Sequence, residues 1–157
     1  MKYIAVQSFI AEWDGTLGYA GANNFYLYRF ERSTRSQWIP WDEDNAFRAV
    51  DYPILPGYEQ NVLVRRAMRV PELRAAYIEG LQAAAAFADW LEYEVQFERS
   101  LISDSMRADT LKPFTNTEFE TGVDALQAFA RSRGAFVQCE IRKLTDPQAA
   151  GTVCAVP

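Results

Sequence analysis

Trp13-Asp14-Gly15, Asn23-Asn24-Phe25-Tyr26-Leu27-Tyr28 and Ile39-Pro40-Trp41-Asp42-Glu43-Asp44 decide how this chain is read. Phe25 to Phe30 is aromatic or aliphatic apart from Arg29, a composition that predicts a strand. Trp38 to Trp41 predicts a second short strand. Pro40 has no amide to donate, so that strand belongs at a sheet edge or is ending. The polar stretch from Glu31 to Gln37 makes the pair a hairpin with a long turn. Gly15, Gly18 and Gly21 punctuate the loop that leads into it. Asp14 on that loop, Asn24 at the first strand's entrance and Asp42 at the second strand's end can converge on a divalent cation. Such an all-oxygen set suits phosphate chemistry.

Upstream, Tyr3, Val6 and Ile10 follow a helical spacing that stops before Trp13, although so short a run also fits a strand. Downstream, Pro53, Pro56 and Gly57 mark a loop. Pro71 suits a first helical position, and Leu73, Tyr77, Leu81 and Ala84 recur at helical spacing. The alanine run Ala83 to Ala86 and the apolar series Trp90, Leu91, Val95, Phe97 and Leu101 carry helix to about Met106, with a break near Asp89. Thr115 and Glu118 form a capping box for a last helix whose face is Phe119, Val123, Leu126 and Ala130. That helix reaches about Ile141, with Gly134 as a candidate kink, and the tail after Pro147 reads as loosely held. The fold class is therefore α+β, mainly helical, with one β-hairpin.

The chain has 157 residues, nearly half of them apolar, and a net charge of −5. It is large enough for one buried core, and it lacks the basic face of a nucleic-acid binder. No run approaches the roughly 18 apolar residues of a membrane span, and Met1-Lys2-Tyr3-Ile4 does not open a signal peptide. Histidine is absent. That removes Ser-His and Cys-His catalysis and leaves acid–base work to carboxylates, Lys, Tyr or Cys. Cys139 and Cys154 are too few for a zinc site; they read either as two thiols or as a disulfide tying the tail to the last helix.

Three motif readings compete. Glu12-Trp13-Asp14-Gly15-Thr16-Leu17 resembles the Asp-x-Asp-Gly-Thr-Leu signature of haloacid-dehalogenase-type phosphatases, but Glu12 stands at the nucleophile position and no later acidic motif completes that site. Asp42 could open a calcium loop, but its sixth and twelfth positions would be Phe47 and Pro53, where Gly and Glu are needed. The ordered set Asp14, then Asn24-Phe25-Tyr26-Leu27-Tyr28, then Pro40-Trp41-Asp42-Glu43-Asp44 with Phe47 soon after, resembles the spore coat protein H (CotH) kinase family. Arg133 resembles a late Arg in that family's C-terminal helices. Asn23 replaces a frequent His, Glu12 a frequent Asn, and the loop from Asp14 to Asn24 is longer than in conventional kinases.

The resemblance implies an atypical protein kinase that moves the ATP γ-phosphoryl group to protein Ser or Thr hydroxyls with Mg2+ or Mn2+. Asp14 is then the catalytic aspartate that accepts or orients the hydroxyl proton. Asn24 and Asp42 bind the metal-nucleotide, with Asp44 as a further metal ligand. The resemblance covers residues 1–146 as the C-terminal lobe of a kinase-like fold, with 147–157 as tail. Only Met1 to Trp13 precede Asp14, so the nucleotide-covering N-terminal lobe is expected to be missing, or supplied by an oligomeric partner, and the fragment alone is expected to turn over little. The family's setting points to the spore coat, the cell surface or secretion. The competing function is a non-catalytic coat or surface assembly module on the same scaffold, and a metal-dependent phosphohydrolase is a further rival.

Overall fold

Residues 2–9 form a helix, α1 (Lys2–Phe9), which resolves the open choice at the N-terminus. Its core face is Ile4, Ala5 and Phe9, while Val6 points outward at 47 % exposed. The buried stripe is therefore one step round the helix from the Tyr3–Val6–Ile10 spacing. The face carrying Tyr3 and Gln7 is used for polar contacts instead. Residues 1–156 are described by this structure, a computed structural model.

Strands β1 (Phe25–Arg29) and β2 (Ser36–Pro40) pair antiparallel, with Phe25 opposite Pro40 and Leu27 opposite Trp38. In a two-stranded sheet both strands are edges, so the missing amide of Pro40 breaks no ladder. A hairpin alone is marginal in water. This one is held to α1 through Trp38, whose ring stacks on Tyr3 at 5.6 Å and meets Phe25 at 4.3 Å.

The remaining elements are helices: α2 (Val62–Ala67), α3 (Pro71–Ala86), α4 (Ala88–Ala108) and α5 (Asn116–Thr145), followed by a 3-10 turn at Pro147–Ala149. The short α2 lies in the stretch read as loop; Asn61 caps it by accepting from the Val64 amide at 3.0 Å. The break between α3 and α4 falls at Phe87, two residues before Asp89. The Thr115–Glu118 capping box starts α5 as its residues predict. This helix runs unbroken through Gly134 to Thr145, so Gly134 is not a break. A Cβ there would lie 3.1 Å from the Ala88 Cβ and 3.3 Å from the Ala85 carbonyl oxygen; glycine lets α5 press against the α3–α4 junction.

The core joins α1, α3 and α5 through Ile4, Phe9, Tyr77, Leu81, Val137 and Ile141, with Leu17, Ile54 and Val64 closing it from the loops and α2. The α1–α3 crossing is close, since a Cβ on Gly80 would come within 2.8 Å of the Ala5 Cβ. Cys139 and Cys154 form a disulfide, so the tail is tied back onto α5 rather than loosely held. Closing a loop of this size restricts the unfolded chain by about 3 kcal/mol in the chain-entropy account.

Candidate active site

The acidic turn after β2 is hydrogen-bonded along the loop that follows α1. The Trp13 amide donates to the Asn45 carbonyl (3.3 Å), the Phe47 amide to the Ile10 carbonyl (2.6 Å), and the Arg48 amide to the Ala11 carbonyl (3.4 Å). These bonds bring Asp14 and Asp44 to one amide. Asn45 Nδ2 donates to Asp14 Oδ2 at 3.2 Å and to Asp44 Oδ1 at 3.1 Å. The other Asp14 oxygen, Oδ1, is buried with no partner among the described residues.

Asn24 and Asp42 flank the open end of the hairpin. The Trp41 amide donates to the Asn24 carbonyl at 3.3 Å, so Asn24 lies opposite Trp41, the residue before Asp42, just outside the paired strands; neither the Asn24 nor the Asp42 side chain is hydrogen-bonded to Asp14 or Asp44. Both adopt left-handed backbone, with φ of 55° and 51°, as do Ala11 at 57° and Phe47 at 60°. Asn and Asp tolerate this region, but Ala and Phe are strained there by about 1–3 kcal/mol each, and such strain gathers at functional sites. Phe47 is held in place by its amide bond to Ile10 and by edge-to-face packing on Phe129 at 5.3 Å.

The polar face of α1 braces this arrangement. Tyr3 and Gln7 are one helical turn apart, and Gln7 Nε2 donates to the Tyr3 hydroxyl at 2.9 Å. The Tyr3 hydroxyl reaches Glu43 Oε1 at 3.0 Å and the Asn24 carbonyl at 3.3 Å, and Gln7 Nε2 also donates to Glu43 Oε1 at 2.9 Å. Gln7 Oε1 accepts from the Thr16 amide at 3.0 Å. One buried amide side chain thereby links α1, the glycine loop and the acidic turn. Gly15 makes room for it: a Cβ there would lie 2.7 Å from Glu12 Cγ and 2.9 Å from Gln7 Nε2.

Tyr3, Gln7, Glu43 and Asn45 brace the candidate site, and the sequence alone does not assign them. Each works through a partner more than thirty positions away, and nothing local announces it. Only the i, i+4 placement of Tyr3 and Gln7 was available as a signal.

Glu12 is 3 % exposed, and its Oε1 accepts from the Asp14 amide at 3.2 Å. Burial above all, then the adjacent Asp14 carboxyl and the charge of Glu43, pushes its pKa up from 4.5 to about 8; the bond from the Asp14 amide opposes this. The native chain then holds a proton on Glu12 that the unfolded chain has released between about pH 4.5 and 8. Stability therefore falls as pH rises through that window and levels off above it. The variant Glu12→Gln stays neutral throughout, so thermal midpoints measured across the window should fall less steeply than in the parent chain. An equal slope in the two would contradict the buried, protonated Glu12.

Arg133 lies outside this acidic group. It is fully buried, and its guanidinium donates only to backbone carbonyls: Phe9 at 2.8 Å, Ser8 at 2.6 Å, Val50 at 2.7 Å and Tyr52 at 2.6 Å. The first two are carbonyls at the C-terminal end of α1, where a cation also meets the negative end of the helix dipole. Arg133 is a structural clamp that sets the direction in which α1 delivers the Asp14 loop.

Residues 1–137 match the model of the family described as CotH kinase protein. The chain belongs to the CotH kinase family. The match contains the helix that braces the site, the glycine loop, the hairpin, the acidic turn and Arg133, and ends within α5. No curated protein and no solved structure matches the chain. Membership in the CotH kinase family makes a kinase-related function the coarse conclusion. Among the described residues no helix is long and apolar enough to cross a membrane, and no group of three or more Cys, Asp and Glu side chains is gathered as a metal cage. The donors that this CotH kinase family member does bring together are hard oxygens, with Asp14 Oδ1 left unpartnered. Mg2+ keeps several waters and takes only one or two carboxylates besides substrate phosphates, so a site for it needs no full protein cage.

Proposed function

We propose that this chain carries the acceptor and metal side of a protein kinase site that transfers the ATP γ-phosphoryl group to Ser or Thr hydroxyls. The observation that carries the reading is the Asn45 bridge, which holds the loop carboxylate Asp14 against Asp44 of the acidic turn. Asp14 orients the acceptor hydroxyl and takes its proton as the hydroxyl oxygen bonds to the γ-phosphorus and the bond to ADP breaks. Asn24 and Asp42, with Asp44 beside them, would hold Mg2+ or Mn2+ bound to the nucleotide. Such an ion would neutralise phosphate charge, which is much of what phosphoryl transfer asks of its catalyst. The helical part then corresponds to the C-terminal lobe of a kinase-like domain over residues 1–146.

A second reading, a non-catalytic assembly module, is favoured by the outward hairpin face, where Tyr26, Tyr28, Ile39 and Trp41 are all exposed. Cation binding separates the two. Titrating Mn2+ into the chain with a non-hydrolysable ATP analogue should remove the free-ion paramagnetic resonance signal, and Asp42→Asn should weaken that binding by roughly tenfold or more. Binding unaffected by Asp42→Asn would remove Asp42 as a ligand, and no binding at all would favour the assembly module.

A further inference from the structure

The arm formed by α4 and the first half of α5 carries an open apolar groove lined by none of the residues of the acidic turn. Its floor is Leu91, Val95 and Ile102 of α4 with Phe119, Val123 and Leu126 of α5, around a cavity of about 680 Å³. Helix α4 is 21 residues long and buries none of them. Gly122 lines the groove, and a Cβ there would meet nothing within 4 Å. Trp90, Phe97 and Leu101 extend the exposed apolar surface along α4. So much contiguous apolar surface on a folded chain marks a contact site.

Charge identifies what fits there. Glu94, Glu98 and Glu118 border the groove, and its one cation, Arg99, is already paired with Glu120. Residues 88–126 hold nine Asp and Glu against three Lys and Arg, so this arm accounts for the whole negative balance of the chain. A second copy would set two such acidic arms against each other, and an anionic lipid surface would repel them. Two antiparallel helices with an unfilled seam have room for a third, packed at the usual 8–10 Å between axes. From Leu91 to Ile102 the seam is about 16 Å long, roughly three turns of helix.

We infer that the α4–α5 groove docks an amphipathic helix of a partner protein, with an apolar stripe at i, i+3, i+4 and i+7 and Lys or Arg on its flanks. The stripe fills the seam, and the flanking cations meet Glu94 and Glu98 on one side and Glu118 on the other. This inference is independent of the phosphoryl-transfer reading.

The test uses the full chain and a fluorescent Leu/Lys peptide of roughly four helical turns, followed by anisotropy and circular dichroism. Expected is one peptide bound per chain with a gain in peptide helicity. The double variant Glu94→Lys/Glu98→Lys should weaken binding about tenfold or more, and Ile102→Asp at least as much. Gly122→Lys places a cation in the open groove without displacing any neighbour and should also weaken binding about tenfold, so the result does not depend on how Ile102→Asp folds. A peptide of the same composition with its stripe scrambled should bind about tenfold less tightly or worse. Equal binding by the scrambled peptide would reduce the contact to general attraction of a polycation and overturn the inference. It would also be overturned if Gly122→Lys left affinity unchanged, or if sedimentation showed a dimer of this chain that Gly122→Lys dissociates.

Discussion

Replacing Arg133 by methionine is expected to lower the free energy of unfolding by about 3–5 kcal/mol. The side chain is completely buried, donates to four backbone carbonyls on two different segments, and lies between the Phe129 and Phe136 rings at 5.7 and 5.4 Å. Methionine restores most of the volume and none of the donors, so carbonyls of Ser8, Phe9, Val50 and Tyr52 would be left unpaired in the interior. Burial pulls the Arg133 pKa down to about 10, which keeps it charged at neutral pH. Urea unfolding should show a lower midpoint at unchanged slope. Arg131→Ala is the control: that side chain makes a half-exposed pair with Glu92, and such pairs contribute about 1 kcal/mol or less. A loss of that small size in Arg133→Met would show that the clamp is dispensable.

Gly18→Ala is expected to destabilise the chain by about 3 kcal/mol and to move Asp14. The added Cβ would fall 2.0 Å from the Trp13 carbonyl oxygen, 2.5 Å from its carbon and 2.8 Å from the Asp14 amide nitrogen. Those atoms are backbone, so relief requires opening the loop that presents Asp14, and the Asn45 bridge would open with it. The contrasting substitution is Gly122→Ala on α5, which meets nothing and should stabilise the helix by up to about 1 kcal/mol. Thermal unfolding of the two variants beside the parent chain gives the comparison. Equal midpoints for Gly18→Ala and the parent would mean that the loop has slack which its geometry does not suggest.

Local chemistry was legible in the sequence, and tertiary chemistry was not. The aromatic strands, the Pro71 start of α3 and the Thr115–Glu118 start of α5 are each set by neighbours within one turn or one pleat. The six-residue α2 escaped because it is too short for a periodic pattern and is set by an Asn61 cap whose amide also donates to the distant Thr16 carbonyl. Arginine is ordinarily a surface residue, so the burial of Arg133 could not be read from its position. The Cys139–Cys154 pairing stayed open because it depends on how the tail returns to α5. Asp14, Asn24, Asp42 and Asp44 are proposed as site residues from an ordered motif. Tyr3, Gln7, Glu43 and Asn45, which hold the site together, sit at ordinary positions and become visible only when α1, the hairpin and the acidic turn are brought together.

Phosphoryl transfer itself is the most direct test of the central proposal. The protein should be incubated with γ-labelled ATP, Mg2+ or Mn2+ and a mixed Ser/Thr protein acceptor, beside Asp14→Asn and Asp42→Asn. Label should enter Ser or Thr only when the divalent cation is present, and each variant should lose roughly 10²–10⁴ of the rate while keeping the parent's unfolding midpoint. Unchanged incorporation by both folded variants would contradict the assignment of Asp14 and Asp42 and, with it, the proposed site.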